Sequence, residues 1–127
     1  MTFHDRESLA RTMGLRSWFI AFGLTLLVET PVYVLGLRRV FGVRGAGALS
    51  VGLNVLTHPI AWTVIMAARE PFPAVFACVE AVVVLVEGLL LRIASQTRIA
   101  RSSMSLGDAM ALSFAANGMS AAIGLLV

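Results

Sequence analysis

Residues 17–37 read SWFIAFGLTLLVETPVYVLGL and stop abruptly at Arg38-Arg39. A run of this length, apolar except for Glu29 and a few small polar groups, meets the need for about 20 mostly apolar residues in a bilayer-crossing helix. Three further runs follow the same pattern. Residues 46–68 (AGALSVGLNVLTHPIAWTVIMAA) end at Arg69-Glu70-Pro71, and residues 72–91 (FPAVFACVEAVVVLVEGLLL) end at Arg92. Residues 105–127 open with Ser105-Leu-Gly-Asp108, which reads as a helix N-cap with an acidic group in the first turn. The expected fold is all-α, an integral membrane bundle of four transmembrane helices in a single domain, 1–127.

Ahead of the first run, Phe3, Leu9, Met13 and Leu15 alternate irregularly with Arg6, Arg11 and Arg16. That pattern suits a short helix lying in the membrane interface. The basic start and the apolar run from Trp18 to Val28 also resemble a secretory signal peptide. No small-residue cleavage site intervenes before Glu29, so the segment is read as part of the mature helix.

Composition points to the same solvent. Mean hydropathy is +0.88, with 58% hydrophobic and 13% charged residues, far from the balance of an ordinary soluble domain. The net charge of +3 comes with ten basic residues, all arginine. Most of them fall between the apolar runs, where positive charge sets orientation and meets lipid headgroups. Arg6, Arg11, Arg16 and Arg69 belong to one membrane face, and Arg38, Arg39, Arg44, Arg92, Arg98 and Arg101 to the other, which leans that second face toward the cytoplasm. Nucleic acid is not an expected partner. The expected partners are the lipid bilayer and either further copies of the chain, as a homo-oligomer, or a larger membrane complex; the expected location is a bacterial cytoplasmic membrane. The lone Cys78 excludes an intrachain disulfide and any multi-cysteine metal motif. Within its apolar run it reads as a small buried side chain.

Every run carries polar groups near mid-span: Glu29 in the first, Asn54, Thr57 and His58 in the second, Glu80 and Glu87 in the third, Ser113 and Asn117 in the fourth. Ionisable groups at bilayer depth are costly unless they face a partner or water, so they mark a functional site by default. Their spacings agree with helical faces. Asn54, Thr57 and His58 follow i, i+3, i+4; Glu80 and Glu87 follow i, i+7; Ser113, Asn117 and Ser120 follow i, i+4, i+7. At about 1.5 Å of rise per residue, Glu80, His58 and Asn117 lie about 12–15 Å below the N-terminal membrane face, and Glu29, Asn54, Ser113 and Glu87 about 18–21 Å. All four stripes are expected to point into one interior.

Pro31 and Pro59 each sit within two residues of an ionisable group, and each releases a backbone carbonyl, that of Leu27 or Val55. Interrupted helices at the midplane are one way transporters build ion sites, although proline is common in membrane helices for packing alone. Tyr33 and Trp62, near or beyond mid-span, carry polar tips that need partners inside the bundle.

The chemistry of the set admits several readings. A divalent metal ion is one ligand it suits, with His58 and Glu80 as first ligands and Glu29, Glu87, Asn54 and Asn117 completing or supporting the site, and Thr57 and Ser113 as supporting polar groups. A proton relay through the buried carboxyls is another, and the most economical function is transport or binding of a cation or proton-coupled small solute. The alternatives are an intramembrane hydrolase using a Glu/His pair and an accessory or assembly subunit of a larger complex. No residue is assigned a catalytic role, and no glycine-rich phosphate loop, nucleophile elbow or HExxH run is present.

Overall fold

The computed structural model describes residues 3–68, 72–124 and 126, with side chains described from Gly14 onward. The architecture is all-α: α1 spans Phe3–Ala67, α2 Phe72–Ala94 and α3 Leu106–Gly124, with no strand among the described residues. Two of the three helices, α1 from Gly14 and α2, are long and apolar enough to cross a membrane.

The count of three corrects the expectation of four helices. The runs 17–37 and 46–68 belong to one 65-residue element, because the chain turns on a single residue, Gly42, at φ 73 and ψ 167. That conformation is essentially confined to glycine. It needs no loop, so the basic stretch between the runs, expected as a connector, is helical on both sides of Gly42. The N-terminal limb, 3–41, and the returning limb, 43–67, then run antiparallel. Ser50 Oγ donates to Thr30 Oγ1 at 3.2 Å, and Asn54 Nδ2 donates to Glu29 Oε2 at 2.9 Å, so later residues of one limb meet earlier residues of the other.

The first limb runs unbroken from Phe3, so no separate interfacial helix precedes it. The side chains of Phe3, Arg6, Leu9, Arg11 and Met13, on which the amphipathic reading rested, lie outside the described residues, as does the Arg69-Glu70-Pro71 stop. Pro31 and Pro59 leave both limbs helical. Gly42 is the one position inside α1 with non-helical φ/ψ, so no helix is interrupted at the midplane. The run 105–127 corresponds to α3, which is not among the two spanning candidates. Asp108, Ser113, Asn117 and Ser120 make it more polar than α2. Its start is as expected: Ser105 Oγ accepts from the Asp108 N–H at 3.0 Å and donates to Asp108 Oδ2 at 2.7 Å, a reciprocal N-terminal cap.

Small residues bring the helices together. A Cβ added at Gly88 of α2 would lie 3.2 Å from the Met110 Cα of α3, so this crossing is backbone against backbone. Tyr33, Leu37, Ala46, Leu53, Leu91, Ala109 and Ala116 form the apolar part of the core. The segment 95–105 folds beneath the Gly42 turn. The Arg101 N–H donates to Val40 O at 2.7 Å, the Arg92 guanidinium donates to Met104 O, and Ser95 Oγ accepts from the Met104 N–H. Arg38, Arg39, Arg44, Arg92, Arg98 and Arg101 therefore share one end of the molecule.

Polarity is inverted relative to a soluble protein. Glu29 and Glu87 are 1% and 0% exposed, whereas Phe19, Leu27, Leu35, Ile60, Val82 and Phe114 all lie more than half exposed. Only 17% of the most apolar stretch of each spanning candidate is buried. An exterior of this kind is stable against lipid chains and unstable against water. Cys78 belongs to it. The side chain is exposed on α2, not buried as its apolar context suggested.

Candidate functional site

Two carboxylates organise the interior. Glu87, from α2, accepts the Tyr33 hydroxyl and the Asn117 Nδ2 donor at Oε2, the latter at 2.8 Å, and the Thr57 hydroxyl at Oε1 at 2.7 Å. Its partners come from both limbs of α1 and from α3, so a single side chain on α2 ties together every other helical segment. Glu29, from the first limb, accepts Asn54 Nδ2 at 2.9 Å and Ser120 Oγ at 2.6 Å. Asn117 and Asn54 are held in turn by the carbonyls four residues earlier, those of Ser113 and Ser50. Ser113 Oγ donates to Val84 O at 3.0 Å and clamps α3 to α2. Hydrogen bonds of this type, in a low-dielectric interior, fix rotamers firmly.

The two carboxylates differ in what they face. Glu87 is enclosed by its three donors. Glu29 lines a cavity of about 400 Å³ with Thr25, Asn54, Thr57, His58, Glu80, Asn117 and Ser120, walled for the rest mostly by aliphatic side chains and by Trp62, Phe72 and Phe76. Ile65, Phe72 and Gly124, each near an end of its helical segment, line the same cavity, together with Ser17 of the first limb. The space thus reaches from the end of the molecule opposite the Gly42 turn toward Glu29. Among the described residues no arginine lines it.

His58 stands at the wall within an aromatic box. Its ring centroid is 5.2 Å from Phe22 and 5.9 Å from Trp18, both edge-on, and 6.5 Å from Trp62, stacked. Nδ1 is buried and has no hydrogen-bond partner among the described residues. Buried polar atoms are rarely left in this state without a functional reason. Glu80, half-buried, receives no side-chain hydrogen bond among the described residues and shares the cavity with Glu29.

The structure therefore gathers Glu29, Asn54, Thr57, Glu87, Ser113 and Asn117 into one hydrogen-bonded core and leaves His58 and Glu80 on the cavity wall. Among the described residues no three His, Cys, Asp or Glu side chains are grouped so as to hold a metal ion. Glu29 and Glu87 are occupied by neutral donors from the chain itself. A divalent ion would have to displace several of these bonds, so the residues present do not fit a preformed metal centre.

Sequence reasoning put Ser120 on the inward face of its helix and gave Tyr33 and Trp62 partners inside the bundle, but it did not count them among the site residues, and it passed over Trp18 and Phe22. Tyr33 lies four residues after Glu29, on the same helical face, and Ser120 extends the Ser113–Asn117 stripe by one turn. Both signals were present in the spacing. Nothing in the spacing announced that Trp18, Phe22 and Trp62 would surround His58, since that depends on how the limbs pair.

Fold and site together define an all-α protein with two helices able to cross a membrane, an apolar exterior and a carboxylate-and-amide interior beside a cavity. Comparison with protein families, with curated proteins and with solved structures finds no match, so the function is argued from the site alone.

Proposed function

We propose that the protein binds, and carries within the membrane, a small positively charged or proton-coupled solute in the cavity that ends at Glu29. In this reading the two limbs of α1 together with α2 and α3 make four crossings, and the setting is a bacterial cytoplasmic membrane. The observation that carries the proposal is the pair of carboxyls, Glu29 and Glu80, on the wall of one largely apolar cavity with no arginine beside them among the described residues. A carboxyl in such a place is costly unless something of opposite charge, or a proton, accompanies it.

A cavity of about 400 Å³ falls in the range of small-molecule sites and is far larger than a bare ion needs. Aromatic faces from Trp62, Phe72 and Phe76 suit an organic ammonium group, which they attract through the ring quadrupole. Glu87 is not part of the recognition surface in this scheme. It holds Tyr33, Thr57 and Asn117, and so fixes the helices that shape the cavity.

The test is equilibrium dialysis of the purified protein in mild detergent against tetraethylammonium and, separately, against Mn²⁺. Saturable uptake of tetraethylammonium that is lost in Glu29→Gln supports the proposal. Saturable uptake of Mn²⁺ alone would favour an ion site, and uptake of neither would remove the binding reading.

A further inference from the structure

Six arginines meet at the end of the molecule formed by the Gly42 turn and the connector 95–105. Arg38 and Arg39 close the first limb, Arg44 opens the second, Arg92 lies in the last turn of α2, and Arg98 and Arg101 stand on the connector. All but Arg92 are exposed. The Arg92 guanidinium is taken up by the Met104 carbonyl, and the Arg101 guanidinium lies against Gly42, 3.1 Å from where a Cβ would stand. Of the seven acidic residues of the chain only Asp108 falls within 38–44 or 92–108, and Ser105 Oγ holds it in the α3 cap. This end therefore carries far more positive charge than its own carboxyls balance. The connector does not project from it. The Arg101 N–H donates to Val40 O at 2.7 Å, two residues before the turn, so the connector folds back to the level of the helix ends. Ile99, 83% exposed, stands between Arg98 and Arg101, and Val43, 63% exposed, stands beside Arg44.

We propose that this end is a binding surface for anionic phospholipid, with the headgroup phosphate on the arginines of the connector and the turn and with Ile99 and Val43 against the adjoining acyl chains. The inference goes beyond the cavity reading and shares with it only the membrane setting. Like charges gathered without a counter-charge repel one another, and an anion among them removes that cost. Guanidinium groups suit a phosphate in particular, because each presents several donors in a rigid planar fork. Charge alone would serve a soluble phosphate as well. The apolar side chains select the lipid. At the edge of a bilayer a phosphate and the start of an acyl chain lie side by side, and the sequence Arg98-Ile99-Ala100-Arg101 offers a partner to each. Exposed to water, Ile99 and Val43 would instead keep apolar surface unburied. A headgroup shared by Arg101 of the connector and Arg44 of the second limb also ties the connector to the turn.

The experiment offers the purified protein, in a non-ionic detergent, equal amounts of dioleoyl phosphatidylglycerol and dioleoyl phosphatidylcholine and counts the bound lipid by native mass spectrometry. Wild type is expected to retain phosphatidylglycerol with a preference of at least about ten-fold, the scale that a few arginines give at an anionic surface. Glycerol 3-phosphate, the same charged group without tails, is expected not to displace it. The double variant Arg98→Gln, Arg101→Gln on the connector and the single variant Arg44→Gln at the turn are each expected to reduce the preference several-fold. Changing the two sides of the surface separately guards against a folding defect in either variant. Arg16→Gln, at the opposite end of the first limb, is expected to leave the preference unchanged. Equal retention of the two lipids by wild type would overturn the proposal. So would a preference that survives both sets of changes, or one that falls equally in Arg16→Gln, since net charge alone would then explain it. Displacement by glycerol 3-phosphate would overturn it in favour of a soluble anion. Tetraethylammonium binding on the same samples reports the cavity reading separately, so a wild type that prefers phosphatidylglycerol without taking up tetraethylammonium upholds this inference and removes that reading.

Discussion

Tyr33 donates its hydroxyl to Glu87 across 54 positions of sequence, and both side chains are fully buried. The bond joins the N-terminal limb of α1 to α2 at the centre of the molecule, where Thr57 and Asn117 add the other two segments. Replacing Tyr33 by Phe removes one of three donors and keeps the ring in place. A hydrogen bond to a charged acceptor contributes about 1.5–3 kcal/mol in soluble proteins, and interhelical polar contacts in membranes average about 0.6 kcal/mol. Tyr33→Phe is expected to lower stability by about 1 kcal/mol, read as a reduced midpoint in thermal unfolding in detergent. Glu87→Leu removes the acceptor shared by Tyr33, Thr57 and Asn117 and leaves the Tyr33 hydroxyl without one, while Thr57 and Asn117 keep the Leu53 and Ser113 carbonyls; it is expected to cost more than Tyr33→Phe.

Gly42 carries the turn that makes one helix act as two. At φ 73 and ψ 167 a side chain is strained by about 1–3 kcal/mol, and the Arg101 guanidinium lies 3.1 Å from where a Cβ would be. Gly42→Ala should destabilise by that amount. Gly42→Asn should do no better, because asparagine relieves the left-handed helical region and not this one. Thermal midpoints of the two variants side by side check the claim.

The α2–α3 crossing depends on Gly88 more than the α1–α3 contact depends on Gly36. A methyl at Gly88 meets the Met110 backbone, which cannot yield without moving the helix. At Gly36 it meets only the end of the Leu112 side chain, which can rotate away. Overpacking of a fixed contact costs about 1–3 kcal/mol. Gly88→Ala is expected to lower the unfolding midpoint clearly, and Gly36→Ala only slightly.

The helical class was legible from the apolar runs, and so were the polar faces. Asn54, Thr57, Glu87, Ser113 and Asn117 lie inside as their spacing required. The helix count was not legible, because an Arg-rich stretch between apolar runs reads as a loop, and only the backbone conformation of Gly42 removes it. Pro31 and Pro59 looked like the breaks, yet the helix passes through both. Cys78 misled for a related reason. Burial was inferred from apolar neighbours, but when the solvent is lipid the apolar face is the outer one. The division between Glu87 and the pair Glu29 and Glu80 was invisible, since it depends on which donors the other helices bring.

That division yields the most direct test: titration of tetraethylammonium into wild type, Glu29→Gln, Glu80→Gln and Glu87→Gln, with unfolding midpoints recorded on the same samples. Loss of at least ten-fold in affinity is expected for Glu29→Gln and Glu80→Gln, at near-normal stability for Glu80→Gln and at somewhat lowered stability for Glu29→Gln, whose side chain accepts from Asn54 and Ser120. Glu87→Gln is expected to unfold more easily while the folded fraction binds as wild type does. Undiminished binding in both Glu29→Gln and Glu80→Gln, or binding that tracks Glu87 alone, would contradict the assignment of the cavity carboxyls as the recognition site.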